Sequence, residues 1–186
     1  MKFIVSKKPK EYLKQGPTGC GAYSVKGILS AYDKDDKNHP FEYLPWSWFP
    51  FVTNSSHWTN ILNSYGLNAK RESMRQLLEE QRLEIIKTAI RCDTPVMLLI
   101  GNGYRGNVIW SVIRWWLISH WITVWGFDDE EGVFYIYDSA VSKKYYDKDI
   151  PTGNVKRTYQ NVLRDLRGGQ PWWWRYDYIS VIRSHS

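Results

Sequence analysis

The segments HWITVWGF (120–127) and VFYIYD (133–138) constrain this chain most. Two runs rich in β-branched and aromatic residues, separated by the turn-forming DDEEG, predict an antiparallel hairpin. A three-residue loop at Asp128 to Glu130 pairs Phe127 with Glu131 and sets His120 directly opposite Asp138, with Cβ atoms about 4.5 to 5.5 Å apart. A two-residue turn at Asp129-Glu130 slips the register by one and sends the two side chains to opposite faces. Whether an imidazole meets a carboxylate here therefore depends on the parity of the register.

The remaining pattern places helices early and strands late. From Cys20, the residues Val25, Ile28, Leu29 and Tyr32 recur at helical spacing, and Thr18 is positioned to cap that helix after the turn residues Gly16 and Pro17. Asp33 to Pro40 reads as a polar loop, and the aromatic segment FEYLPWSWFPF after it has no clean period. Trp58, Ile61, Leu62 and Tyr65 repeat the helical spacing, with Gly66 placed to terminate it. Ser73 and Gln76 have capping-box spacing ahead of a helical region, broken or whole, that runs to about Arg91. PVMLLI (95–100) reads as a strand buried on both faces, and Gly101 to Ser111 as a loop. A further helical face follows at Tyr159, Val162, Leu163 and Leu166, then an alternating strand near Tyr176 to Ile182. The expectation is an α+β fold with a mainly antiparallel sheet, in a single domain over residues 1–186.

Composition excludes several function classes. The net charge of +6 mildly favours anionic partners, but the basic residues are scattered, with no stripe or motif for nucleic acid, so a solvated surface is expected. Two cysteines, Cys20 and Cys92, without Cys-x-x-Cys spacing make no zinc site, and no metal or cofactor is implied. A disulfide between them would suit a secreted protein and would disarm any thiol chemistry. The N-terminus has too short an apolar run for a signal peptide, which reads as cytoplasmic unless a leader was removed. Val108 to Phe127 imitates a membrane span, but Arg114 and His120 interrupt it and disfavour that reading. The 11 tryptophans cluster at Trp46/Trp48, Trp110 to Trp125 and Trp172 to Trp174. Packing accounts for most of them, and an aromatic-walled peptide or glycan groove is the functional alternative.

Chemistry concentrates in QGPTGCGAYSVKGIL (15–29). Cys20 falls in the first turn of a helix, where the dipole and a nearby imidazolium can bring a thiol pKa from about 8.5 into the range of about 3.5 to 7.5. His120 would then be the base, Asp138 the acid that fixes its tautomer, and Gln15 a side-chain amide aimed at a developing oxyanion beside the Cys20 N–H. Each residue alone has an ordinary packing or turn role. Their co-occurrence favours the chemical reading. His57, before a helix, is the rival base or an N-cap neighbour; His39 and His185 fall in loop and tail, and Cys92 reads as structural.

QGPTGCGAYSVKGIL followed by SHWITVWGFDDEEGVFYIYDSA resembles the papain-like cysteine peptidases of the bacteriocin-processing, double-glycine type and their free-standing relatives. The resemblance implies a papain-like fold, with the Cys-bearing helix packed on the sheet. It also implies a nucleophile at Cys20, a base at His120, an orienting acid at Asp138 and an oxyanion glutamine at Gln15. The implied activity is hydrolysis of a peptide or amide bond in a peptide or protein substrate. Two alternatives remain open at this point: a cell-wall peptide amidase or an acyl or peptidyl transferase with the same residues, and a non-catalytic peptide- or glycan-binding module. Gly101 to Ser119 looks like an insertion, and Arg167-Gly168-Gly169 reads as a helix end rather than a self-cleavage site.

Overall fold

The computed structural model describes all residues except 35–36, 46–53, 104–108, 170–171 and 183–186, together with the side chain of Trp172. Trp46, Trp48, His185 and parts of two expected loops lie outside the described residues. The elements in chain order are β1 (Lys2–Ile4), α1 (Cys20–Ala31), α2 (Ser55–Ser64), β2 (Asn68–Ser73), α3 (Glu79–Arg91), β3 (Val96–Gly101), α4 (Ile109–Leu117), β4 (Ser119–Asp128), β5 (Val133–Tyr137), β6 (Val155–Thr158), α5 (Tyr159–Asp165) and β7 (Asp177–Ile182). The sheet order is β2-β7-β3-β4-β5-β6, with β1 also on β4, and every ladder is antiparallel. The expected α+β class with an antiparallel sheet is what forms.

Helix α1 is buried along its length. Every residue from Gly21 to Ala31 is withdrawn from solvent, which suits the apolar Ala22, Val25, Ile28 and Leu29. Its start differs from the expectation that Thr18 caps it. Gly19 is the N-cap, at φ 98, and no side chain caps the first turn. A left-handed residue there suits glycine, and it leaves the first-turn N–H groups without a capping side chain. Gly21 is equally constrained, because a Cβ would lie 2.3 Å from the Trp58 ring. The close approach lets fully buried Trp58 of α2 pack on the turn that carries Cys20. Helix α2 ends as expected, with Gly66 at φ 77 and Leu67 N–H bonding the Leu62 carbonyl at 3.2 Å.

Two elements correct the sequence reading, and a glycine pair adds to it. Ser73 does not open a helix; it ends strand β2, and the capping interaction belongs to Gln81, whose Oε1 accepts from Leu78 N–H at 2.9 Å. Edge strand β2 is mostly polar, so periodicity does not reveal it. Residues 109–117, part of the apolar run ending at Phe127, form helix α4 before strand β4 begins. Among the described residues no helix is long and apolar enough to cross a membrane. Gly168 and Gly169 follow the end of α5, as read, but they also let α4 approach: Gly169 N–H bonds the Trp115 carbonyl at 2.9 Å, and a Cβ on Gly168 would meet that oxygen at 2.6 Å.

The hairpin forms with a different register. Asp128 pairs with Val133, Phe127 with Phe134 and Gly126 with Tyr135, so the loop is four residues long and the register near the turn is the odd one. A β-bulge at Trp125 then adds one residue to β4, and the pairs continue as Val124 with Ile136 and Thr123 with Tyr137. Parity is thereby restored. Continued along the strands, Asp138 lies opposite Ile122, and His120 stands two residues away on the same face rather than directly across.

Candidate active site

Each of the four candidate side chains is placed by a different element. Cys20 opens α1, His120 is the second residue of β4, Asp138 follows the last residue of β5, and Gln15 lies on the N-terminal arm. Serine and tyrosine contacts tie that arm to the sheet. Tyr137 Oη donates to the Leu13 carbonyl at 2.8 Å, and Gln15 N–H donates to the Ser139 carbonyl at 2.8 Å. Ser139 Oγ donates to Gln15 Oε1 at 2.6 Å. With its carbonyl end held, the Gln15 amide NH2 is the end left to donate.

His120 and Asp138 are 2 % and 1 % exposed, and His120 Nε2 lies 2.7 Å from Asp138 Oδ1. Nδ1 is therefore the ring nitrogen left for the Cys20 thiol, which lies close enough to the ring for each group to shift the other's pKa. A cross-contact ties α1 to β4: Ser24 Oγ donates to the Trp121 carbonyl at 3.4 Å.

The electrostatics follow from that geometry. Burial pushes the Cys20 thiol up, but the hydrogen bond and charge of His120, with the backbone of Trp121 and Gly21, outweigh it and hold the thiol below its ordinary value. Burial alone would keep His120 neutral; the charge and hydrogen bond of Asp138, then Cys20, raise its pKa well above the usual imidazole range. Burial likewise opposes ionisation of Asp138, and His120, Arg157 and the Ala140 N–H together hold it below the usual carboxylate range. Sulfur, ring and carboxylate thus favour the thiolate–imidazolium–carboxylate state.

Sequence reasoning missed the groups that hold Asp138. Arg157 on β6 donates to its Oδ2 and also reaches Asp165 at 3.3 Å; Ala140 N–H donates to Oδ1 at 2.9 Å. Asn154 clamps the Asp138 backbone, its Oδ1 accepting from the N–H at 2.8 Å and its Nδ2 donating to the carbonyl at 2.9 Å. The Ala140 contact is a local turn two residues on, but no local motif announces Arg157 and Asn154, which β6 carries to Asp138 by pairing with β5.

The rival residues are placed elsewhere. His57 Nε2 bonds the Tyr43 carbonyl at 2.7 Å and its N–H is capped by Asn54 Oδ1 at 2.9 Å. His39 caps the short 3-10 helix Pro40–Tyr43. Cys20 and Cys92 are both free thiols, so no disulfide joins them; Cys20 is half-buried and Cys92 exposed at the end of α3. Among the described residues no group of three or more His, Cys, Asp or Glu could hold a metal. Tryptophan placement is mixed: Trp58, Trp121 and Trp125 are buried, while Trp110, Trp116 and Trp173 are exposed.

A half-buried cysteine opening a buried helix, packed on an antiparallel sheet that carries a His–Asp pair, is the arrangement of the papain-like cysteine peptidases. The chain belongs to the Peptidase_C39 like family, which matches residues 7–171, and it is a cysteine peptidase-like enzyme. Its fold is similar to the double glycine motif protease from an AMS/PCAT transporter, crystallised with the leader peptide: TM-score 0.55 and 16% identity, over 98% of this chain and 99% of that one. It is also similar to a protein described as a C39-like peptidase from Bacillus anthracis, with TM-score 0.62 and 12% identity over 100% of both chains. No curated protein matches the sequence.

Proposed function

We propose that this protein is a thiol hydrolase that cleaves a peptide or amide bond by covalent catalysis at Cys20. The observation that carries the reading is His120, held between the Cys20 thiol and Asp138 in a site shielded from water. The Cys20 thiolate attacks the carbonyl carbon and forms the C–S bond. The oxyanion takes hydrogen bonds from the Gln15 amide and the Cys20 N–H; one such donor is worth about a hundred- to a thousandfold in rate. The His120 imidazolium gives its proton to the departing amine as the C–N bond breaks. Water, deprotonated by the now neutral His120, attacks the thioester, releases the carboxylate product and restores the thiolate–imidazolium pair. Asp138 stays ionised throughout and holds the ring.

A peptide substrate is supported by the structural relative that holds a leader peptide. Residues 1–186 are read as one domain around this site, supported by a core cluster that draws on α1, α2, α3, α5 and the central strands. The test is mass spectrometry of products after incubation with a diverse peptide mixture and, separately, with cell-wall peptide fragments. Cleavage at defined bonds by the wild type and none by Cys20→Ala is the expected result. Equal product patterns from both proteins contradict it.

A further inference from the structure

Helix α4 is built inside out. Ser111 is its buried residue, whereas Ile109, Trp110, Val112, Ile113, Trp116 and Leu117 are between 38 % and 74 % exposed. A helix apolar on the side away from its own protein needs an apolar surround. The helix is also pinned, so its face does not fold inward: Gly169 N–H holds the Trp115 carbonyl at 2.9 Å and Asn102 N–H holds that of Ile118 at 2.8 Å. Gly101 and Gly168 have no room for a Cβ beside it. Trp173, 56 % exposed, carries a further indole on the segment after Gly169.

Arginines border this face. No Asp or Glu occurs between Asp93 and Asp128 in the sequence, Arg114 is exposed on the helix itself, and the Arg175 guanidinium stands 5.5 Å from the centre of the Trp116 ring. The whole chain carries +6. Tryptophan near both ends of a short apolar helix, with arginine and no acid, suits the boundary between lipid headgroups and acyl chains. At nine residues, about 13 Å, the helix lies in that plane and does not span it.

We propose that α4 docks this protein peripherally on an anionic lipid bilayer, with Trp110 and Trp116 as its anchors and Arg114 facing the headgroups. This inference stands apart from the reading of the catalytic site. It rests on the inverted helix and the arginines beside its apolar face.

The experiment is cosedimentation of the full chain with vesicles of phosphatidylcholine alone or mixed with phosphatidylglycerol, at low and high salt. The wild type is expected to partition onto the anionic vesicles and to be weakened by salt. Trp110→Ser/Trp116→Ser is expected to lower that partition by at least about tenfold. Arg114→Glu, a single exposed change that leaves the apolar face intact, is expected to weaken anionic binding selectively. Unchanged circular dichroism and Cys20 alkylation establish that each variant is folded. Absence of vesicle binding overturns the proposal, as does binding indifferent to these substitutions or equal on neutral and anionic vesicles. A light-scattering dimer that the double tryptophan variant dissolves, with no vesicle binding, also overturns it and assigns the face to a second copy of the chain.

Discussion

Asp138 Oδ1 stands 2.7 Å from His120 Nε2, and the carboxylate's other oxygen is held by Arg157. The buried imidazolium thus has a fixed counter-charge that is itself fixed. Asp138→Asn keeps the shape but replaces the anion with an amide, so the His120 pKa falls and the Cys20 pKa rises. Peptide cleavage is expected to drop by about a hundred- to ten-thousandfold, and the alkylation profile of Cys20 to shift to higher pH. Kinetics across pH 5 to about 9 check both.

Arg157→Gln removes a cation that keeps the Asp138 pKa low. A carboxylate with a depressed folded pKa stabilises the protein above its unfolded value, near 3.9, and that stability is lost as pH falls through the folded value. The variant is therefore expected to be less stable than wild type by about 1 to 3 kcal/mol at pH 7, the difference shrinking only as the pH falls below the usual carboxylate range through the folded value. Urea unfolding at several pH values measures it, and a difference that grows on acidification contradicts it.

Gln15→Ala removes the proposed oxyanion donor without touching the triad. The expectation is a loss in kcat of about a hundred- to a thousandfold with KM little changed. Ser139→Ala frees the other end of the same amide and is expected to cost less, about three- to tenfold. Steady-state kinetics on a cleaved peptide separate the two.

Gly21→Ala forces a methyl group into the Trp58 ring, 2.3 Å from the ideal Cβ position. The turn carrying Cys20 must shift, and the variant is expected to lose about 1 to 3 kcal/mol of stability together with most of its activity. Adding Trp58→Leu is expected to restore activity in part by opening the space. Failure of the double variant to recover any activity, despite being folded, contradicts a purely steric origin.

The fold was legible in the sequence where period and length agreed. The helical stripe of α1, the buried run PVMLLI, the two hairpin strands and the closing strand all form where their patterns lie. Helix α4 was not legible, because it has no polar face and runs into β4 without a break in hydropathy. Strand β2 was hidden for the opposite reason, being a polar edge whose Ser73 and Gln76 imitate a helix cap. The partnership of His120 with Asp138 was foreseen through a hairpin of the wrong loop length. A turn of four residues gives the odd register, and the bulge at Trp125 corrects it. Bulges have no reliable local signature beyond a glycine, and Gly126, whose Cβ would lie 2.8 Å from the Phe3 carbonyl, is the trace this one leaves. Arg157 and Asn154 were invisible because strand pairing alone carries them to Asp138.

The most direct measurement is the rate at which iodoacetamide alkylates each thiol as a function of pH, followed by mass spectrometry. Half-buried Cys20 is expected to react faster than exposed Cys92 at about pH 6, because its neighbours stabilise the thiolate, and His120→Ala should abolish that advantage. If Cys92 reacts first, and Cys20 follows the pH curve of an ordinary thiol with or without His120, the thiolate–imidazolium pair at the centre of this account does not exist.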